Sequence, residues 1–131
     1  MHIHRAVILG ALLGCGWTSM VMADDAVKAD PKHYTVVSEN DQVRILRVHY
    51  GPHEKSIMHS HPASVAVFLG AGQGKFTFPD GKSQDFAAKL GDVQYSEATT
   101  HLPENTGDQA LDVIVVELKG KAAKPSKAAP K

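Results

Sequence analysis

Residues 51–72 read Gly51-PHEKSIM-His59-Ser60-His61-PAS-Val65-AVFLGA-Gly72, and the alternation at their centre sets the reading of the whole chain. In a strand, alternate side chains share a face, so His59 and His61 point the same way. Their Cα atoms then lie ~6.6 Å apart at ~3.3 Å per residue. Two imidazoles leaning together at that spacing can each bring a nitrogen to about 2.1 Å from one metal ion. On its own His-x-His is a weak signal, because two histidines on an exposed edge strand satisfy it equally.

The flanks support a strand-built domain. Period-two patterns rich in β-branched and aromatic residues predict strands at 34–38, 43–50, 56–61, 65–69, 75–78, 84–87, 92–95 and 111–118. Turn chemistry separates them at Glu39-Asn40-Asp41, Gly51-Pro52, Pro79-Asp80-Gly81 and Asn105-Thr106-Gly107-Asp108. The Gly70–Gly74 run has no helix after it and reads as a loop rather than a phosphate cradle. The one candidate helix is short, Asp24–Asp30. So many short strands in ~90 residues suggest a closed barrel or jelly roll.

A second segment, Gly91-DVQYS-Glu97-Ala-Thr99-Thr-His101-LPE-Asn105, follows at a plausible distance. Together the two segments resemble the paired motifs of the cupin superfamily, over roughly residues 35–115. The resemblance implies an all-β, cupin-like jelly-roll β-barrel of the small single-domain type. It implies that His59 and His61 from one strand, and His101 from a strand beside it, converge on a metal inside the barrel. The first cupin motif carries a Glu as a usual fourth ligand, and Val65 stands at that position here. Glu97 and Thr99 replace the Pro and Gly of the second motif.

Losing the Glu opens two readings. In the first, three histidines hold one divalent transition metal and leave positions open for water or substrate. A neutral three-His set suits Fe, Zn, Ni or Cu and disfavours hard, oxygen-preferring Mn²⁺. The chemistry would be dioxygenase- or isomerase-like, on a small organic molecule. In the second, the barrel is a non-catalytic binder of a small ligand or of metal. Arg47, Tyr95 and His53 are the candidate substrate-binding residues. Arg44 and Arg47 lie on opposite faces of one strand, so one should face the barrel, and an inward Arg grips a carboxylate as a fork. Asn105 reads as a turn cap rather than a ligand.

The ends differ from the domain. Residues 1–23 have a positive start, an apolar run at 6–13 and a small-residue site ending at Ala23, the layout of a signal peptide. Export to the periplasm or beyond follows, with a lipid anchor at Cys15 as the lesser option. The run is too short for a transmembrane span of ~20 residues. Residues 119–131 hold five Lys and no acid and read as a disordered tail. Between them, residues 24–118 hold eight Lys or Arg against 14 Asp or Glu. The formal net charge of zero over all 131 residues is therefore a sum of unlike pieces. Nothing here has the basic excess of a nucleic-acid binder. The segment 24–131 has no Cys, which excludes disulfides and thiol chemistry there. Exposed sheet edges make a homodimer a further expectation.

Overall fold

A computed structural model describes residues 23–120. The expected signal segment ahead of Ala23, with Cys15, and the tail beyond Gly120 lie outside the described residues.

Helix α1 (Ala26–Ala29) leads into strands β1 (Tyr34–Glu39), β2 (Val43–Tyr50), β3 (His59–His61), β4 (Ser64–Phe68) and β5 (Gly72–Thr77). Strands β6 (Ser83–Ala88), β7 (Val93–Ser96), β8 (Thr99–Asn105) and β9 (Leu111–Leu118) complete the fold. They form one sheet in the order β1-β2-β9-β4-β7 and another in the order β3-β8-β5-β6. Every pairing is antiparallel. The two inner faces enclose a single apolar interior, the all-β jelly-roll arrangement.

Alternation decides what faces inward. On β2, Leu46, Val48 and Tyr50 are buried while Arg47 and His49 are exposed. On β9, Leu111 and Val113 join them, and Phe68 closes the core from β4. The expected turn at Pro79-Asp80-Gly81 joins β5 to β6. Gly81 takes φ +82, a conformation that favours glycine.

Two expectations need correction. The Gly70–Gly74 run is not all loop, because Gly72 and Gly74 lie within β5. A Cβ on Gly74 would sit 2.5 Å from the Phe86 ring and 2.6 Å from the Glu104 carbonyl oxygen. Gly74→Ala is therefore expected to destabilise by about 1–3 kcal/mol, read as a lower denaturant midpoint with an unchanged slope.

Strand β8 is not among the strands that alternation predicts, although the cupin resemblance puts His101 on one; it runs through Pro103, a residue disfavoured in a central strand. The Pro103 carbonyl accepts from Ser56 N–H at 2.9 Å, on the β3 side. A residue's N–H and C=O share one side in an antiparallel strand, so the missing N–H falls there too. The β3 pairing has already ended at His101, and no ladder bond is lost.

Candidate metal centre

His59 and His101 are directly opposed across the β3–β8 ladder, and His61 follows His59 on the same face. The three rings are near-perpendicular neighbours, with centroids 4.8 to 5.3 Å apart. One ligand nitrogen from each lies within 4.8 Å of the other two. His59 is fully buried and His61 nearly so.

Hydrogen bonds fix which nitrogen faces the centre. His59 Nδ1 donates to the Ile57 carbonyl at 2.7 Å. His61 Nδ1 donates to Glu117 Oε1 at 2.7 Å. In neutral rings so held, Nε2 carries the lone pair. The Nε2 atoms of His59 and His61 nevertheless lie 3.0 Å apart. Two lone pairs at that distance repel unless a cation or proton lies between them. His101 Nε2 is the one buried side-chain nitrogen or oxygen among the described residues without a hydrogen-bond partner. Its ring stacks on Phe76 at 4.8 Å and 10°. Three converging imidazoles, two with Nε2 atoms facing each other and one with a partnerless Nε2, fit a divalent transition metal.

Electrostatics support the same state. Burial, reinforced by His61, pushes His59 down to about 4. Burial, reinforced by His61 and His59, pushes His101 down to about 3. Both rings therefore stay neutral at neutral pH and can ligate. The sign for stability follows from the depressed values. Below the unfolded value near 6.5, the unfolded chain takes up protons that the native state refuses. Metal-free protein is therefore expected to hold constant stability above about pH 7. It should lose stability between about 6.5 and 4, by up to about 1.4 kcal/mol per pH unit for each ring. Urea unfolding across that range checks this; a flat profile would refute it.

The sequence reading missed the support behind His61. Glu117 is 1% exposed and bonds His61 through one oxygen. Its other oxygen accepts from Arg44 Nε at 2.6 Å. Burial alone would raise the Glu117 pKa, but hydrogen bonds from His61 and Arg44 hold it below the usual carboxylate range. Strand parity carried the signal. Glu117 shares a face with Leu111 and Val113, and Arg44 pairs with it in register and shares a face with Leu46 and Val48.

The proposed substrate-binding residues lie elsewhere. Of the two arginines on β2, Arg44 faces inward; Arg47 is exposed and ion-paired with Asp112 at 2.9 Å. Tyr95 is 50% exposed on β7 and does not line the cavity. His53 sits in a loop at φ 59, its Nε2 2.7 Å from exposed Asp108. Val65 also points away. Ser64 and Ala66 line the interior, so no carboxylate occupies the wall where the cupin Glu would stand. Asn105 caps its turn as expected, donating to the Gly51 and Gln109 carbonyls and accepting from Gly107 N–H.

A cavity of about 400 Å³ adjoins His61 and His101. Its walls include Phe68, Phe76, Phe78 and Phe86, with Glu97 and Glu104 as the charged residues and no Lys or Arg. Tyr34 also lines it, its ring 4.8 Å from that of His59. Tyr50 donates its hydroxyl to Tyr34 Oη at 2.8 Å, which leaves the Tyr34 proton available to the cavity. Burial, with Tyr50 beside it, pushes Tyr34 well above its usual value, so it remains a donor.

No protein-family model matches the chain, and no curated protein matches it. Solved structures do resemble it. A cupin domain from Bordetella pertussis Tohama I gives a TM-score of 0.62 at 22% identity, over 66% of this chain and 92% of that one. A double-stranded β-helix domain protein from Klebsiella pneumoniae gives 0.53 at 19%, over 69% and 78%. A cupin superfamily protein from Desulfitobacterium hafniense gives 0.52 at 18%, over 66% and 76%. The fold is that of the cupins.

Proposed function

We propose that this cupin-fold chain is exported, holds one divalent transition metal on His59, His61 and His101, and presents it to a small organic molecule in the adjoining cavity. The observation that carries the reading is the convergence of two buried imidazoles and a half-buried third, His101, whose buried Nε2 is left without a partner. A bound ion would supply Lewis acidity and an open coordination position, the requirement for oxygenase- or isomerase-type chemistry. The chain supplies the rest. The neutral histidines orient the ion, the four Phe exclude water, and the Tyr34 hydroxyl offers one proton donor beside His59. Cavity walls without a cation favour a largely apolar ligand over a polyanion.

Val65, which stands at the usual fourth-ligand position and does not line the cavity, favours a second reading: a non-catalytic binder of metal or small ligand. Elemental analysis decides the first point, with about one transition metal per chain expected. Finding none after anaerobic reconstitution with Fe²⁺, Zn²⁺, Ni²⁺ and Cu²⁺ would sink the metal reading. Oxygen uptake by metal-loaded protein with a panel of small acids, thiols and diketones then separates oxygenase from binder. Homodimer formation belongs to the proposal as well, supported by Val93 and Tyr95, 66% and 50% exposed on the sheet-edge strand β7. No helix among the described residues is long and apolar enough to cross a membrane.

A further inference from the structure

Residues 24–33 precede the first sheet strand, yet they meet the candidate metal strand along three routes. The Asp24 carbonyl accepts from Ser60 N–H at 2.8 Å, and Asp25 forms a parallel bridge with Ser60. Ser60 lies between His59 and His61. The second route runs through Asp25, whose Oδ2 accepts from Arg44 Nη2. Arg44 Nε donates to Glu117 Oε2 at 2.6 Å, and Glu117 Oε1 holds His61 Nδ1 at 2.7 Å. The third runs through Asp30, which is 5% exposed. Its Oδ2 accepts from Ser56 Oγ at 2.6 Å, and Ser56 Oγ lies 3.3 Å from His59 Nδ1. His33 fixes Asp30 in turn, Nδ1 to Oδ2 at 2.7 Å, while stacking on Tyr50 at 4.3 Å.

We infer that this segment is a positioning strap of the metal centre. Asp25, through Arg44 and Glu117, and Asp30, through Ser56, hold the His61 and His59 rings with Nε2 turned toward the metal. The inference rests on the metal-binding reading. It is more than helix capping. Asp25 Oδ1 alone caps α1, accepting from Val27 and Lys28 N–H at 3.0 and 3.2 Å, and the second oxygen goes to Arg44. Fully buried Ala26 anchors the strap between its two acidic contacts. Outer partners that fix ring orientation typically change metal affinity about 10–100-fold. Coupling is reciprocal, so a metal that depends on the strap must also tighten it.

The test titrates full-chain wild type, Asp25→Asn and Asp30→Asn with Zn²⁺ and Co²⁺ against a competing chelator. Asn keeps the helix cap but removes the anion facing Arg44. Asp25→Asn is expected to weaken both metals about tenfold or more, with a shifted Co²⁺ visible spectrum and a nearly unchanged melting temperature of the metal-free protein. Asp25→Glu should restore part of the affinity. Asp112→Ala, which removes an outer-face ion pair, should bind metal like wild type. Metal addition should slow amide exchange at Ser60, Val27 and Lys28. Wild-type affinity in Asp25→Asn, or exchange at those amides indifferent to metal, would overturn the strap. Wild-type protein without saturable metal binding would overturn the metal reading itself, and this inference with it, before any variant is compared.

Discussion

His101→Ala is expected to abolish metal retention while leaving a folded chain. Removing an outer partner of a ligand typically costs about 10–100-fold in metal affinity, and losing one of only three ligands should exceed that. The protein should nevertheless fold. His101 Nε2 bonds to no group of the described chain, so truncation strands no internal hydrogen-bond partner there. The lost contacts are the stack on Phe76 and the edge contacts with the His59 and His61 rings. His59→Ala should also lose the metal, but with a larger stability cost, because His59 is fully buried and its Nδ1 bonds the Ile57 carbonyl. Metal content after dialysis, measured beside the unfolding midpoint, separates the two variants. Full metal occupancy in His101→Ala would remove that residue from the centre.

The largest expected stability effect belongs to Glu117. Glu117→Leu leaves the His61 Nδ1–H buried without its acceptor. It also leaves Arg44, 17% exposed at the side chain, with Asp25 as its remaining anion. Breaking one partner of a buried pair costs about 3–5 kcal/mol, a large share of a small domain's stability. Glu117→Gln keeps the shape and one acceptor for His61, so it should fold. Its lost charge should instead appear in metal affinity, about 10–100-fold weaker. Urea unfolding and metal titration on the two variants measure these separately. A Leu variant as stable as wild type would show that the network contributes nothing to the fold.

Much of the architecture was legible residue by residue. Period-two runs located eight of the strands, because a half-buried strand must alternate. Strand β8 was not legible from alternation, since its Pro103 is tolerated only because β3 ends where it does. The metal candidates were readable as His59 and His61 on one face. His101 entered through the likeness to cupin motifs, not through geometry. Arg47 could not be ranked against Arg44 from the sequence, because alternation shows that the two diverge without showing which face is inside. The burial of Leu46 and Val48 settles it in favour of Arg44.

The sequence by itself determined an all-β chain of short strands, a His-x-His pair on one strand face and an acidic domain between unlike ends. These are local properties, governed by spacing of 2 residues and by turn chemistry. Only the tertiary structure decided that His101 stands opposite His59, that Glu117, paired with Arg44, bonds His61 directly, and that Asp25 and Asp30 bear on the same centre. Those contacts join residues up to 73 positions apart, as Arg44 and Glu117 are. Closure of the chain brings such residues together, and no local pattern encodes which of many buried polar groups will meet.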